Sequence, residues 1–160
     1  MCQIRENDIV STTTLETTST SSYSTTSQQL CPESKDNWSW IPFMGRCYKL
    51  ITEEMQWHTA YQYCREEGDL VSIHSEAENN FVGSLVKEYN AHIGGYFNST
   101  NDMSENNGAW SDGTSWNYTH WYPDYPQPSS NYYYAYIVNA EFGTRWLNGY
   151  ETNRKFVCKR

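Results

Sequence analysis

Four of the five cysteines in this 160-residue chain stand where disulfide chemistry would cross-link a small domain. Cys31, Cys47, Cys64 and Cys158 bracket nearly all of the aromatic residues, whereas Cys2 stands apart from them. Cysteine usage of this kind is typical of proteins from oxidising compartments. The sequence contains no Cys-x-x-Cys pair, which argues against a structural zinc site. Because the number of cysteines is odd, Cys2 either stays free or pairs with another chain.

Residue types that could perform catalysis are present, but not in catalytic patterns. Ser, His and Asp all occur without a Gly-x-Ser-x-Gly elbow. His74-Ser75-Glu76 matches the first half of a zinc deaminase signature, while the Pro-Cys-x-x-Cys half is missing. The acidic pairs Glu53-Glu54 and Glu66-Glu67 are predicted to be solvated, with neighbouring side chains pointing apart on a helix. We therefore expect a binding protein and not an enzyme.

The charge and aromatic content restrict the partners further. The formal net charge is −8, and the 11 Lys and Arg residues are scattered, so nucleic acid and anionic membranes are unlikely ligands. With 14 Tyr and 7 Trp, a core can be built from a few large side chains. The first eight residues lack the apolar run of a signal peptide, so we expect that a signal or membrane anchor belongs to a longer precursor.

The first 30 residues differ sharply from the rest of the chain. Between positions 11 and 27 nearly every residue is Ser or Thr. Such a segment has too little apolar surface to offset its conformational entropy, so residues 1–30 are predicted to be disordered. The segment is either an O-glycosylated stalk or a plain flexible linker, and residues 31–160 form the folded domain.

The elements of the domain follow from its local patterns. The stretch from Cys31 to Cys47 is predicted to be a short hairpin closed by a disulfide bond. A helix is predicted from about Thr52 to Glu67, with Gly68 as its C-terminal stop. Its buried face consists of residues at helical spacing: Trp57, Ala60, Tyr61 and Cys64.

A second helix is predicted to begin at Ser75. Glu78, three residues later, completes a capping box, and Phe81 and Leu85 share the buried face. The sequence from His92 to Tyr96 then predicts a strand whose two glycines allow another backbone to approach closely.

The remaining strands are predicted on either side of a long loop. An irregular region extends to about position 131, and strands are expected at 134–139 and 155–159, with Arg145-Trp146-Leu147 between them. Loops of this length in a compact domain are usually functional. Together the elements predict an α+β fold.

Three N-x-[ST] acceptor sequences support secretion. They begin at Asn37, Asn98 and Asn117, and each is expected to lie at the surface and to be a candidate for N-glycosylation. We therefore expect an extracellular protein, either secreted or held at the cell surface.

These motifs, in this order, resemble a C-type lectin-like domain of the long form over residues 31–160. The matching segments are Cys31-Pro32 with Cys47-Tyr48, Ala60-x-x-x-Cys64 with Gly68-Asp69-Leu70, the run from Ser75 to Phe81, His92-Ile93-Gly94-Gly95, Trp110-Ser111-Asp112-Gly113 with Tyr118 and Trp121, and Phe156-Val157-Cys158-Lys159. The resemblance implies two helices flanking small antiparallel sheets. It also implies that Cys31 pairs with Cys47 and Cys64 with Cys158.

A further bridge that is usual in this family is absent. The positions of its cysteines are occupied by Tyr134 or Ala135 and by Tyr150 or Glu151. The strand there must be held by packing, for which Tyr134 and Tyr136 are the predicted side chains.

The resemblance also locates a calcium site, and here the chain departs from the family. Sugar-binding members carry Glu-Pro-Asn or Gln-Pro-Asp in the loop and Trp-Asn-Asp in the next strand. This chain offers Tyr125-Pro126-Gln127 or Gln127-Pro128-Ser129, followed by Trp146-Leu147-Asn148. Calcium favours carboxylate oxygens, and none stands at these positions. We therefore predict no metal cofactor and a turn with a cis proline at Pro126 or Pro128.

The loop retains many aromatic and amide side chains. Tyr, Ser and Asn are favoured in binding loops because they give large contact areas and adaptable hydrogen bonds. We expect Tyr134 and Tyr136 to pack beneath the loop, and Tyr125, Tyr132 and Tyr133 to be exposed. The candidate ligand-binding residues are Trp121, Tyr125, Gln127, Ser129, Tyr132, Tyr133 and Asn148.

Three functions remain open on these residues. The first is calcium-independent recognition of a glycan or glycoprotein, which follows from the family resemblance and the missing ligands. The second is binding of a protein ligand by a domain that has lost sugar binding. The third, compatible with either, is a stalked surface protein linked to a partner through Cys2.

Overall fold

The computed structural model describes residues 31–98, 103–128, 133–140 and 143–160. Within these ranges the chain forms two helices and eight strands, which confirms the predicted α+β class. The elements are β1 (Ile41–Phe43), β2 (Arg46–Met55), α1 (Trp57–Cys64), β3 (Asp69–Leu70), α2 (Glu76–Val86), β4 (Asn90–Tyr96), β5 (Ala109–Trp110), β6 (Tyr134–Ala140), β7 (Gly143–Gly149) and β8 (Arg154–Lys159). The predicted stalk and Cys2 lie outside the described residues.

The strands form a single sheet with the order β1-β2-β8-β4-β6-β7. β3 adds to β8 and β5 adds to β4. The pairing of β4 with β8 is parallel, and the other pairings are antiparallel. Because β8 lies between β2 and β4, the last strand of the chain joins the first hairpin to the strands that carry the long loop.

The first hairpin forms as the sequence predicts, with a two-residue turn. Phe43 pairs with Arg46, and the intervening Met44 and Gly45 have φ of 47° and 74°. Positive φ at both positions is the geometry of a type I′ turn, whose twist matches that of the flanking strands.

The first helix begins later than predicted. We expected it from Thr52, but the chain stays in β2 to Met55, and α1 starts at Trp57. The reason is tertiary, since Ile51 pairs with Phe156 and Met55 with Arg154 across the β2–β8 ladder. The helix ends at Cys64 and not near Glu67. Its predicted face is confirmed for Trp57, Ala60 and Cys64, which are buried, whereas Tyr61 is half-buried.

The second helix begins where the sequence predicts. Ser75 is its N-cap, and its Oγ accepts a hydrogen bond from the backbone N–H of Glu78 at 3.2 Å. The carboxylate of Glu78 turns to the N–H of His74 at 2.8 Å, one residue before the cap. Val82 and Val86 form the fully buried part of the helix, while Phe81 and Leu85 are half-buried beside it.

Two glycines allow close backbone contacts. A Cβ at Gly94 would lie 2.8 Å from the carbonyl oxygen of Leu70, which confirms the predicted close approach in β4. Gly68 has a different role from the predicted helix stop. The helix ends four residues earlier, and a Cβ at Gly68 would overlap the carbonyl oxygen of Lys159 in β8.

Both expected disulfide bonds are present. Cys31 pairs with Cys47, and Cys64, the last residue of α1, pairs with Cys158 in β8. The second bond lies in a buried cluster with Ile51, Trp57 and Phe156. A larger cluster lies between α2 and the β4–β6–β7 part of the sheet and includes Val82, Val86, Ile93, Trp110, Ala135, Ile137 and Trp146. In the described part of the chain, no helix is long and apolar enough to cross a membrane.

Where the family's further bridge is missing, strand pairing and an aromatic contact take its place. Ala135 pairs with Asn148 and Tyr134 with Gly149 in the β6–β7 ladder. The half-buried ring of Tyr136 is covered by the guanidinium of Arg154, whose Cζ lies 3.9 Å from the ring centroid.

Candidate functional site

The long loop leaves the core at Trp121. The backbone on both sides of this residue bonds to β7, since Tyr122 donates its N–H to the carbonyl of Trp146 and Trp146 donates to His120, each at 2.9 Å. The indole of Trp121 is 8% exposed and meets the ring of Trp146 edge-on at 5.6 Å. It also stacks on Phe97 at 5.8 Å. Trp121 was expected to face a ligand, but its ring lies in the core. The parallel β-bridge between Trp121 and Trp146 directs the ring inward.

The turn that follows contains the cis peptide bond. It lies between Tyr125 and Pro126, which decides between the two candidate prolines. The backbone N–H of Tyr125 bonds to the carbonyl of Tyr122 at 3.0 Å, and the ring packs against the larger core cluster. Tyr125 is thus half-buried, contrary to the expected exposed position, whereas Gln127 is exposed.

Asn148 holds this turn against β7. Its Oδ1 accepts from the backbone N–H of Gln127 at 2.7 Å, and its Nδ2 donates to the carbonyl of Gln127 at 2.8 Å. The side chain is 3% exposed, so it is not the ligand-facing residue that the sequence suggested. Its acceptor and its donor match the backbone N–H and carbonyl of one residue, which explains why an amide is present there.

These residues do not fit a calcium ion. The amide of Asn148 is bonded to the backbone of Gln127, and its neighbour in β7 is the apolar Leu147. In the ranges that the structure covers, there is no group of three His, Cys, Asp or Glu side chains able to hold a metal. Carboxylates are what an oxygen site needs to compensate for removing the hydration shell of a divalent cation.

The remaining three residues that were predicted to contact a ligand have different outcomes. Ser129 and Tyr132 lie outside the described residues. Tyr133 is half-buried, although it was expected to be exposed, and its carbonyl accepts from the N–H of Phe97 at 2.8 Å. This contact places Tyr133 beside the end of β4, where it lines a cleft that does not include Gln127 or Asn148.

We call this feature the aromatic cleft. It has a volume of about 460 Å³, which lies within the range of roughly 300–1,000 Å³ that is usual for small-ligand sites. Helix α1, the end of β4 and the start of β6 meet there. Its lining residues are Trp57, His58, Tyr61, Tyr96, Phe97, Asn98, Ser111, Tyr133 and Tyr134.

Trp57 is the buried anchor of the cleft. Its Nε1 donates to the carbonyl of Ile93 at 2.8 Å, which fixes the plane of the indole. The ring of Tyr134 stacks on it at 4.7 Å, and that of Tyr61 at 5.6 Å. Stacked rings of this kind have few alternative rotamers once packed, so the cleft presents a preformed aromatic surface.

Polar groups lie along the edge of this surface. His58 is 62% exposed, and its Nδ1 lies 3.1 Å from a carboxylate oxygen of Glu151 and 3.2 Å from the hydroxyl of Tyr134. Burial, followed by the charge of Glu151, raises the pKa of Tyr134, so its hydroxyl stays protonated at neutral pH. Asn98 is exposed at another part of the edge. Rings with flanking hydrogen-bonding groups can bind a flat, partly polar ligand, but they provide no activated nucleophile.

One residue of this cleft, Tyr133, was predicted from the sequence to contact a ligand. Trp57 and Tyr61 were assigned to a buried helix face, and Tyr134 was assigned to packing beneath the loop. The available signal was the pair of aromatic residues four positions apart on α1, which is equally compatible with a core face and with a surface cleft.

A second cleft of about 460 Å³ is lined mainly by charged and hydroxyl-bearing residues, among them Glu78, Asp112 and Lys159. At its base, Glu78 bonds to the hydroxyl of Tyr48 and to Nζ of Lys159, each at 2.6 Å. Burial alone would raise the pKa of Glu78, but these two partners outweigh it and hold the pKa below its usual value. The ion pair of Glu78 with Lys159 joins α2 to β8, so we interpret these two residues as a structural contact between the helix and the sheet.

Comparison with known proteins supports the fold. The family model of the lectin C-type domain matches residues 53–160 of this chain. The chain belongs to the C-type lectin family.

The relatives of this C-type lectin domain differ in size. It is 40% identical over 90 residues to C-type mannose receptor 2 of Homo sapiens, an alignment that covers 55% of this chain and 6% of the receptor. It is 29% identical over 133 residues to lithostathine of Rattus norvegicus, covering 81% of this chain and 78% of lithostathine. The C-type lectin domain of murine dendritic cell inhibitory receptor 2, solved in complex with an N-glycan, superimposes with a TM-score of 0.70 at 25% identity, covering 82% of this chain and 98% of that domain.

Proposed function

We propose that this C-type lectin domain is an extracellular module that recognises glycans without calcium, through the aromatic cleft. The observation that carries the proposal is the cleft itself, in which Tyr61 and Tyr134 stack on Trp57 beside the polar groups of His58 and Asn98. A pyranose ring has an apolar face and a polar edge. The cleft offers a matching aromatic surface and hydrogen-bonding rim.

Calcium independence is supported by the long loop. In calcium-dependent sugar binding, the ion forms the link between protein oxygens and sugar hydroxyls. Here the amide of Asn148 is bonded to the backbone of Gln127, and Leu147 provides no oxygen from its side chain. A site without a charged ligand binds a divalent cation weakly.

The surroundings of the domain support an extracellular role and a carbohydrate ligand. Two disulfide bonds are expected in an oxidising compartment. All three sequon asparagines, Asn37, Asn98 and Asn117, are exposed. One solved relative with the same fold was crystallised with an N-glycan.

The test is binding of the full chain to a glycan array, in parallel with calcium and with a chelator. We expect equal binding in both. Tyr61→Ala removes one stacking face of the cleft and is expected to lower the affinity by about twofold to tenfold, because one aromatic contact contributes about 0.5–1.5 kcal/mol. Tyr89→Ala is the matched control, since Tyr89 is exposed outside the cleft.

A second variant separates the cleft from the long loop. Tyr125→Ala is expected to leave binding intact. If it abolishes binding while Tyr61→Ala does not, the loop is the site. Binding that requires calcium would contradict the assignment at Asn148.

Absence of glycan binding under both conditions would favour a protein ligand. Protein interfaces generally require a large apolar patch with a polar rim. The exposed large apolar side chains of the described ranges are dispersed, with Ile41 and Met44 on the first hairpin, Tyr89 after α2 and Tyr150 after β7. A non-reducing gel of the full chain tests separately whether Cys2 links it to a partner.

A further inference from the structure

Of the three sequon asparagines, Asn98 is the one whose side chain lines the aromatic cleft. It is the acceptor residue of Asn98-Ser99-Thr100. Asn37 lies beside Trp38 in the N-terminal segment, and Oδ1 of Asn117 lies 2.9 Å from Nδ1 of His74. Neither of these two lines the cleft.

The chain around Asn98 directs the side chain to aromatic rings. Tyr96, two residues earlier, is the last residue of β4, and the chain bends at Asn98. Both Tyr96 and Asn98 line the cleft, together with Tyr133, whose carbonyl is bonded to the N–H of Phe97 between them. A sugar attached to Nδ2 of Asn98 would therefore start at the edge of an aromatic surface.

We propose that an N-linked glycan on Asn98 folds back into the aromatic cleft and that its first N-acetylglucosamine residue packs against the rings there. The glycan is attached from a lipid diphosphate oligosaccharide donor. The amide nitrogen Nδ2 forms a bond to C1 of the first sugar and loses one proton, and the lipid diphosphate leaves.

Tethering explains why a modest contact is sufficient. A group attached through a short linker has an effective concentration in the mM range, so an interaction too weak to capture free sugar still keeps the tethered sugar in place. The sugar then replaces water on rings that are otherwise half-buried, which is a favourable burial of apolar surface.

The glycan on Asn98 would also regulate the proposed function, and this part of the inference rests on it. A sugar bound within the cleft occupies the surface that an external glycan needs. Glycosylation at Asn98 is therefore expected to weaken binding of external glycans by about tenfold. The tethered sugar competes with the external glycan for the cleft, and its effective concentration sets the strength of this competition.

The experiment uses the full chain secreted from cells that attach N-glycans. Mass spectrometry measures occupancy at each sequon, and glycan trimming leaves one N-acetylglucosamine per site. NMR of the isotope-labelled sugar is then compared between the wild type and the variants Asn98→Gln, Asn37→Gln and Asn117→Gln. We expect one set of sugar resonances to be shifted upfield by ring currents, and that set to be lost in Asn98→Gln and kept in the other two variants.

Tyr96→Ala keeps the sequon and removes one ring, so it is expected to reduce the upfield shift without reducing occupancy. An unoccupied Asn98, or an occupied one whose sugar resonances match those of the sugar on Asn117, would overturn the inference. The glycan array separates the two proposals. If the wild type shows the ring-current shifts but the variant Asn98→Gln binds no external glycan, the proposed function fails and the inference stands. If the variant Asn98→Gln binds external glycans but the wild type shows no ring-current shifts, the inference fails and the proposed function stands.

Discussion

The side-chain amide of Asn148 forms two hydrogen bonds with the backbone of Gln127, one from each polar atom of the amide. The two residues are 21 positions apart in the chain, so this contact closes the long loop onto β7. It occupies the place where the family resemblance locates a metal ligand. The side-chain amide of Asn148 thereby holds the turn at Gln127 against β7.

Asn148→Asp is expected to destabilise the domain. The introduced carboxylate still accepts from the N–H of Gln127, but an oxygen then faces the carbonyl of Gln127 where Nδ2 donates now. A buried carbonyl that loses its hydrogen-bond donor and faces another acceptor costs about 1–3 kcal/mol in the free energy of unfolding. Urea denaturation measures the change. Gln127→Ala is the control, because it leaves the backbone of that residue in place, and an equally large loss in both variants would contradict the role of the amide pair.

The two disulfide bonds are expected to contribute unequally to stability. Cys64 and Cys158 are 94 positions apart, and Cys31 and Cys47 are 16 apart. In the chain-entropy model, a cross-link restricts the unfolded chain more when its loop is longer, giving about 4–5 kcal/mol for the first bond and about 3 kcal/mol for the second.

Thermal melts of Cys64→Ala/Cys158→Ala and Cys31→Ala/Cys47→Ala provide the comparison. We expect the first pair to lower the melting temperature more. A melt of the first variant that coincides with the wild type would refute that contribution.

Lys49 is expected to be a sensitive position in the N-terminal half. The side chain is 2% exposed, and its Nζ lies 2.8 Å from a carboxylate oxygen of Asp36 and 2.6 Å from one of Glu67. Although burial alone would raise the pKa of Asp36, hydrogen bonds from Lys49 and its neighbours hold it well below the usual value. Lys49→Met leaves both carboxylates without their cation, at an expected cost of about 3–5 kcal/mol.

The pair Arg65 and Asp69, with 3.2 Å between nitrogen and oxygen, provides the control, because its cation is solvent-exposed although Asp69 is buried. Arg65→Met is expected to cost about 1 kcal/mol or less, as is usual for ion pairs with a solvated partner. Chemical denaturation of both variants measures the difference, and equal losses would show that burial of Lys49 is not decisive.

Acid is expected to weaken the fold through His92. This residue is 0% exposed in β4, and burial lowers its pKa from 6.5 to about 4, with the charge of Arg154 acting in the same direction. The unfolded chain therefore takes up a proton before the folded one does. Stability is fully present above pH 6.5 and falls as the pH drops towards 4, by up to about 3 kcal/mol.

His92→Gln removes the titrating group and should flatten the stability curve between pH 6.5 and 4. The slope is the readout, because the substitution also changes packing at every pH. Carboxylates with lowered pKa, such as Glu78, contribute below about pH 4.5 and remain in the variant. If the slope of stability against pH is unchanged in His92→Gln, other titrating groups cause the acid sensitivity.

Local patterns in the sequence were sufficient for much of the scaffold. The N-cap at Ser75, the buried face of α1 and the glycine contact at Gly94 depend on neighbours in the chain or on a single close approach, so residue type and spacing predict them. The family resemblance supplied both disulfide pairings. The start of α1 could not be predicted this way, because the strand pairing of Ile51 with Phe156 joins residues that are distant in the chain.

The binding surface was decided by tertiary structure. Trp121 and Trp57 are both buried, yet their rings have different neighbours. The ring of Trp121 packs on Phe97 and Trp146, whereas the ring of Trp57 stacks with Tyr134, 77 positions away in the numbering, at the base of a cleft. The type of a side chain states what contacts it can make. Whether its face meets the core, the loop or solvent depends on which strands and helices pack around it, and that is a property of the assembled fold.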